Sequence, residues 1–104
     1  MIDIEKLKAE IMKRLEPLEP DRIILFGSYA RGEATEESDV DLFLLMNDHV
    51  GNVEATALFS LRDLMKKYKI GFDILAGDKQ AITKRQDPFY RIDILQKGEV
   101  LYGK

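Results

Sequence analysis

The 104-residue chain has no cysteine, one histidine, and a formal net charge of only −3. Without cysteine there is neither a disulfide framework nor a thiolate metal site, which fits a cytoplasmic protein. Acidic and basic residues are mixed along the chain, so the basic stripe expected of a polynucleotide binder is missing. No apolar run approaches membrane-spanning length, and the first residues, Met1 to Lys6, lack a basic region followed by an apolar core. There is no repeat, low-complexity tract or linker, and this length supports one domain, residues 1–104, with a single modest core.

What is present is concentrated in one segment. Arg22-Ile23-Ile24-Leu25-Phe26 is a short run of strand formers broken by Gly27-Ser28, and after ten further residues comes Asp39-Val40-Asp41. Tyr29-Ala30-Arg31 can make one helical turn ended by Gly32. Gly27 and Ser28 would then sit at a helix start, where unpaired N–H groups favour an anion such as phosphate. Because residues two apart on a strand share a face, Asp39 and Asp41 project together while Val40, Leu42, Leu44 and Met46 point into a core. Two like charges on one face repel, and a divalent cation relieves that cost; Mg²⁺ prefers carboxylate and phosphate oxygens. The pattern predicts a site for Mg²⁺ and a nucleotide.

Around that segment the periodicity predicts alternating elements. Ile4, Leu7, Ile11 and Leu15 mark a helix capped by Asp3 and stopped by Pro17 and Pro20. Strands are expected at 22–27 and 39–46. Val53, Ala57, Leu61, Leu64 and Tyr68 mark one amphipathic helix ending near Gly71, before a strand at 72–75. Asp87-Pro88 suits the start of another helix, with Phe89, Ile92 and Leu95 inward and Gly98 at its end. Val100-Leu101-Tyr102 reads as an edge strand. The fold class is α/β (α+β), a small mixed sheet packed against helices.

Asp73 is a third acid, set in the apolar strand 71–75, where burial without a partner would be costly. If that strand lies beside 39–46, Asp73 joins the other two, and the trio could hold two Mg²⁺ ions. Asp73 could also accept the proton of an attacking hydroxyl. Arg31, one turn after the Gly-Ser pair, could reach phosphates, and so could the Ser38 hydroxyl; a solvated arginine and an ordinary loop serine explain them as well. His49, without a ligand-spaced partner, reads as a loop residue. Lys66-Lys67 and Lys84-Arg85 read as solvated basic pairs.

Gly27 through Leu42, with the later Asp73, resembles the minimal nucleotidyltransferases of the DNA polymerase β superfamily, in particular antitoxins paired with HEPN-type toxins. The resemblance implies the nucleotidyltransferase fold, with Gly27 and Ser28 on the triphosphate of ATP and Asp39, Asp41 and Asp73 as metal ligands and catalytic residues. It further implies transfer of AMP to a tyrosine hydroxyl of a toxin partner. Two other functions stay open at this point: a binding module that silences its partner by occlusion, and nucleotidyl transfer to a small hydroxylated molecule such as an aminoglycoside. A chain this short has no separate acceptor-binding domain, so association with itself or with a partner is expected.

Overall fold

The computed structural model describes residues 3–46, 51–78, 80 and 91–103. Helix α1, Ile4–Leu15, begins where the Asp3 carboxylate accepts a hydrogen bond from the Lys6 amide, and Leu7, Ile11 and Leu15 are buried along one stripe. A 3₁₀ turn at Glu16–Leu18 follows, where Pro17 cannot continue an α-helix. Strand β1, Arg22–Phe26, then leads into the single helical turn α2, Ser28–Arg31, which ends at Gly32 in the left-handed region. Strand β2 is Val40–Leu45 and β3 is Phe72–Gly77, two residues longer than expected. Strand β4, Glu99–Gly103, closes the described chain.

The four strands form one mixed sheet in the order β3-β2-β1-β4. β1 pairs antiparallel with both β2 and β4, whereas β2 and β3 are parallel. A parallel pair needs a crossover, and helices α3, Val53–Ser60, and α4, Arg62–Tyr68, supply it.

The two faces of the sheet have separate cores. Ile23 and Leu25 of β1, Val40, Leu42 and Leu44 of β2, and Ile74 of β3 pack with Leu7, Ile11, Leu15, Ala57, Leu61 and Leu64 of the helices. On the opposite face Ile24, Phe26, Phe43 and Ile94 form a smaller cluster, with Leu45 and Leu75 against it. Asp41 alternates with Phe43 and Leu45 along β2, so it belongs to this second face, at the end where β1 stops and β2 and β3 begin.

Two expectations are corrected. The helix predicted over Val53–Tyr68 is divided at Leu61 (φ −98°, ψ 1°). The Thr56 hydroxyl donates to the Asn52 carbonyl and the Ser60 hydroxyl to the Thr56 carbonyl, back-bonding that bends helices, while the Leu61 amide is shared among carbonyls of the preceding turn. Ile92 and Leu95 do not face inward: they are 39% and 43% exposed, and Asp93 and Ile94 are the buried pair. The segment Ile92–Gln96 is a π-helical turn closed by the Lys97 amide on the Ile92 carbonyl, and this wider turn breaks the 3.6-residue period on which the expectation rested. The helix start at Asp87-Pro88, with Phe89, and the His49 and Lys84-Arg85 positions lie outside the described residues.

Candidate active site

Asp41 and Asp73 are direct register partners across the parallel β2–β3 pair. Neighbouring strands lie about 4.8 Å apart, so the two carboxylates leave the same sheet face side by side. Phe26 stands opposite Asp41 on the other flank, and the chain turns immediately afterwards into Gly27-Ser28. Gly27 has φ 76° and ψ −155°, a conformation essentially reserved for glycine. A Cβ there would collide with the Asp41 carboxylate, so this glycine lets the turn close directly over the acid.

The result is a cleft of about 210 Å³ lined by Phe26, Gly27, Ser28, Arg31, Asp41, Asp73 and Asp93. α2 is one turn long, so its preference for an anion rests on its first-turn N–H groups rather than on a long helix dipole. Burial pushes the Asp41 carboxyl up to about 6, and repulsion from Asp73, Asp39 and Asp93 adds to the effect, against a smaller opposing pull from Arg31. Asp73 lines the cleft and is exposed to solvent.

Asp39 shares the strand-face spacing but is not among the cleft residues. Its carboxylate rests on Gly71, where an added Cβ would lie 2.5 Å from Asp39 Oδ1. Among the described residues no three acidic or histidine side chains are close enough to hold a metal ion unaided. The donor set nevertheless suits Mg²⁺, which is commonly bound by one or two carboxylates together with water and substrate phosphate oxygens. Asp41 and Asp73 are such a pair, and the repulsion from neighbouring acids that adds to burial in raising the Asp41 carboxyl is one a cation would relieve.

Arg31 lines the cleft, and two carboxylates hold it. Its Nε donates to Glu33 at 3.1 Å, and its Nη1 donates to both Asp93 oxygens at 3.0 and 3.1 Å. Ser38 is not brought to the cleft. Its Oγ accepts from the Thr35 amide at 2.8 Å and fixes the turn in the Gly32–Asp39 loop. Asp93 was missed by sequence reading, since an acid between Ile92 and Ile94 in a helix-like stretch looks like an ordinary exposed position. A larger cleft of about 650 Å³ is lined by Tyr29, Ala34, Thr35, Glu36, Tyr68, Lys69 and Ile70, and it shares no lining residue with the acidic one.

Residues 5–101 match the family model for the nucleotidyltransferase domain. The chain is 32% identical over 100 residues to the "Putative protein adenylyltransferase MJ0604" of Methanocaldococcus jannaschii, covering 95% of this chain and 90% of that protein. Its fold is similar to a crystal structure of a toxin-antitoxin with AMP-PNP, with a TM-score of 0.66 and 23% identity, covering 93% of this chain and 73% of that one. It is also similar to the tri-AMPylated Shewanella oneidensis HEPN toxin in complex with MNT antitoxin, with a TM-score of 0.58 and 20% identity, covering 93% and 70%. At these identities the two structures show a shared fold.

Proposed function

We propose that this chain, which belongs to the nucleotidyltransferase domain family, transfers AMP from ATP to a hydroxyl of a partner protein and thereby acts as an antitoxin. The observation that carries this reading is the opposition of Asp41 and Asp73 beside the Gly27-Ser28 turn, with turn and carboxylates lining one cleft. The acceptor hydroxyl oxygen bonds to the α-phosphorus, the bond from that phosphorus to the bridging oxygen breaks, and pyrophosphate leaves. The hydroxyl proton passes to Asp73, which lines the cleft and is exposed to solvent.

Gly27 and Ser28 bind the triphosphate, and Arg31 offsets its charge. Asp41 and Asp73 would hold Mg²⁺, with Asp39 as a third ligand. The metal, when bound, neutralises phosphate charge and makes the hydroxyl more acidic. In this reading Ser38 acts by shaping the loop that carries Asp39.

A protein acceptor is supported by the adenylyltransferase relative. A HEPN-type toxin with a tyrosine acceptor is the partner class indicated by the AMPylated complex of the same fold. Among the described residues no helix is long and apolar enough to cross a membrane. ATP as donor fits a reaction in the cytoplasm.

The test is to co-express the chain with the product of the adjacent gene and weigh both proteins before and after ATP and Mg²⁺. The partner should gain the mass of AMP, and the gain should be lost in Asp39→Ala/Asp41→Ala. An unchanged partner mass would reject the reading. Full neutralisation by the folded double variant would favour occlusion instead.

A further inference from the structure

Asp93 is the one buried charged residue among those described, 4% exposed, and it lines the same cleft as Asp41 and Asp73. A carboxylate removed from water is costly unless paired, and its partner is Arg31, 62 residues earlier in the chain. The π-helical turn at Ile92–Gln96 turns Asp93 inward alongside Ile94, which packs on Ile24, Phe26 and Phe43. Such turns are often found at functional sites.

The hydrogen bonds on Arg31 are divided unequally. Glu33, exposed, takes Nε, and Asp93, buried, takes Nη1 with both oxygens. Among the described residues Nη2 has no polar partner, and Arg31 faces a cleft that holds three carboxylates against its one guanidinium. A free arginine there would be drawn onto Asp41 or Asp73. Held at two of its three nitrogens, the planar guanidinium keeps its third for an incoming anion and leaves those two acids clear.

We infer that Asp93 is a positioning residue for the nucleotide: it clamps Arg31 so that Nη2 is presented to the triphosphate of ATP. This rests on the reading of the cleft as a Mg²⁺·ATP site. In this role Asp93 acts through Arg31, so its effect depends on the arginine being present.

Calorimetric titration of the full chain with Mg²⁺ and a non-hydrolysable ATP analogue tests this without the acceptor, using wild type, Arg31→Ala, Asp93→Asn and the double variant. Thermal melts report folding. Arg31→Ala should weaken binding about tenfold and Asp93→Asn by a smaller factor, as expected for losing or loosening one charge-assisted hydrogen bond. The double variant should bind no more weakly than Arg31→Ala. Losses that multiply, or an Asp93→Asn protein that binds like wild type while Arg31→Ala does not, overturn the positioning role and leave the nucleotide reading intact. Wild type that fails to bind the analogue overturns both. If Asp93→Asn does not fold, Asp93→Glu decides: it keeps the charge but moves the carboxylate by one methylene, so it should weaken binding, and Arg31→Ala/Asp93→Glu should bind no more weakly than Arg31→Ala. Wild-type affinity in Asp93→Glu overturns the inference.

Discussion

Asp41 and Asp73 stand opposite each other on adjacent parallel strands, 32 residues apart in the chain and at the same level of the sheet. Among the described residues neither acid has a hydrogen-bonding cation of its own; Arg31, which lines the same cleft, is committed to Glu33 and Asp93. The pair is therefore a store of unrelieved repulsion in the cleft, and its chemistry is decided by what neutralises it.

The first consequence is a pH signature. Asp41 titrates at about 6 in the fold against an ordinary 3.8, through burial first and its acidic neighbours second. Folding thus favours its protonated form. The stability this contributes is complete below about pH 3.8 and is lost as pH rises through about 6. Asp41→Asn should match wild type near pH 3.5 and exceed it in Tm at pH 8, with both proteins in EDTA. Adding Mg²⁺ at pH 8 should raise the wild-type Tm and leave the variant's unchanged. Parallel Tm profiles for the two proteins from pH 3.5 to 8 would contradict this account.

Gly27→Ala should damage fold and site together. The φ of 76° with ψ of −155° costs a non-glycine residue about 1–3 kcal/mol, and the new methyl must also displace the Asp41 carboxylate. For a domain near 100 residues, 1 kcal/mol corresponds to roughly 4–8 °C in Tm. A fall of at least that size with loss of nucleotide binding is expected. Retained binding in a protein of unchanged Tm would show that the turn relaxes freely.

The break between α3 and α4 predicts a different loss. Leu61 sits at the bend yet is fully buried in the larger core, so it fixes how the two halves of the crossover pack on the sheet. Leu61→Ala should cost about 2–5 kcal/mol in denaturant unfolding. A cost under 1 kcal/mol would mean that the bend collapses to fill the space.

How far the molecule was legible from its residues depends on which periodicity governed each part. Asp41 was accessible because strand alternation assigns a face, whereas Asp73 joined it only on the condition that its strand lies beside β2, which the register of the parallel pair meets. Asp93 was hidden because a π turn obeys neither the strand nor the helix period, and its partner Arg31 lies 62 residues away. The bend at Leu61 was hidden because the apolar stripe continues through it; the Thr56 and Ser60 back-bonds that accompany it leave no mark on hydrophobic pattern. For Asp39, spacing gave the strand face but not the side-chain direction, and its contact with Gly71 depends on a strand that is distant in sequence.

That contact supplies the sharpest separation of site from stability. Gly71 has an ordinary backbone conformation, unlike Gly27, and its carbonyl accepts the Val40 amide at 2.9 Å in a bond that a methyl group would not disturb. A Cβ at Gly71 meets the end of the Asp39 side chain, 2.5 Å from Oδ1, rather than backbone. Asp39 can swing away, so Gly71→Ala should change Tm by only a few degrees, consistent with a cost below about 1 kcal/mol. In swinging, Asp39 loses its resting place, and the direction it takes decides the outcome. If Asp39 joins Asp41 and Asp73 during the reaction, as the proposed function requires, the alanine variant favours the joined arrangement even without nucleotide. Mg²⁺ should then bind more tightly to Gly71→Ala than to wild type, and Asp39→Asn in the same background should remove the gain. Titrating Mg²⁺ into the three proteins reads this directly, and weaker binding in Gly71→Ala would mean that Asp39 moves away from the cleft and holds no metal there.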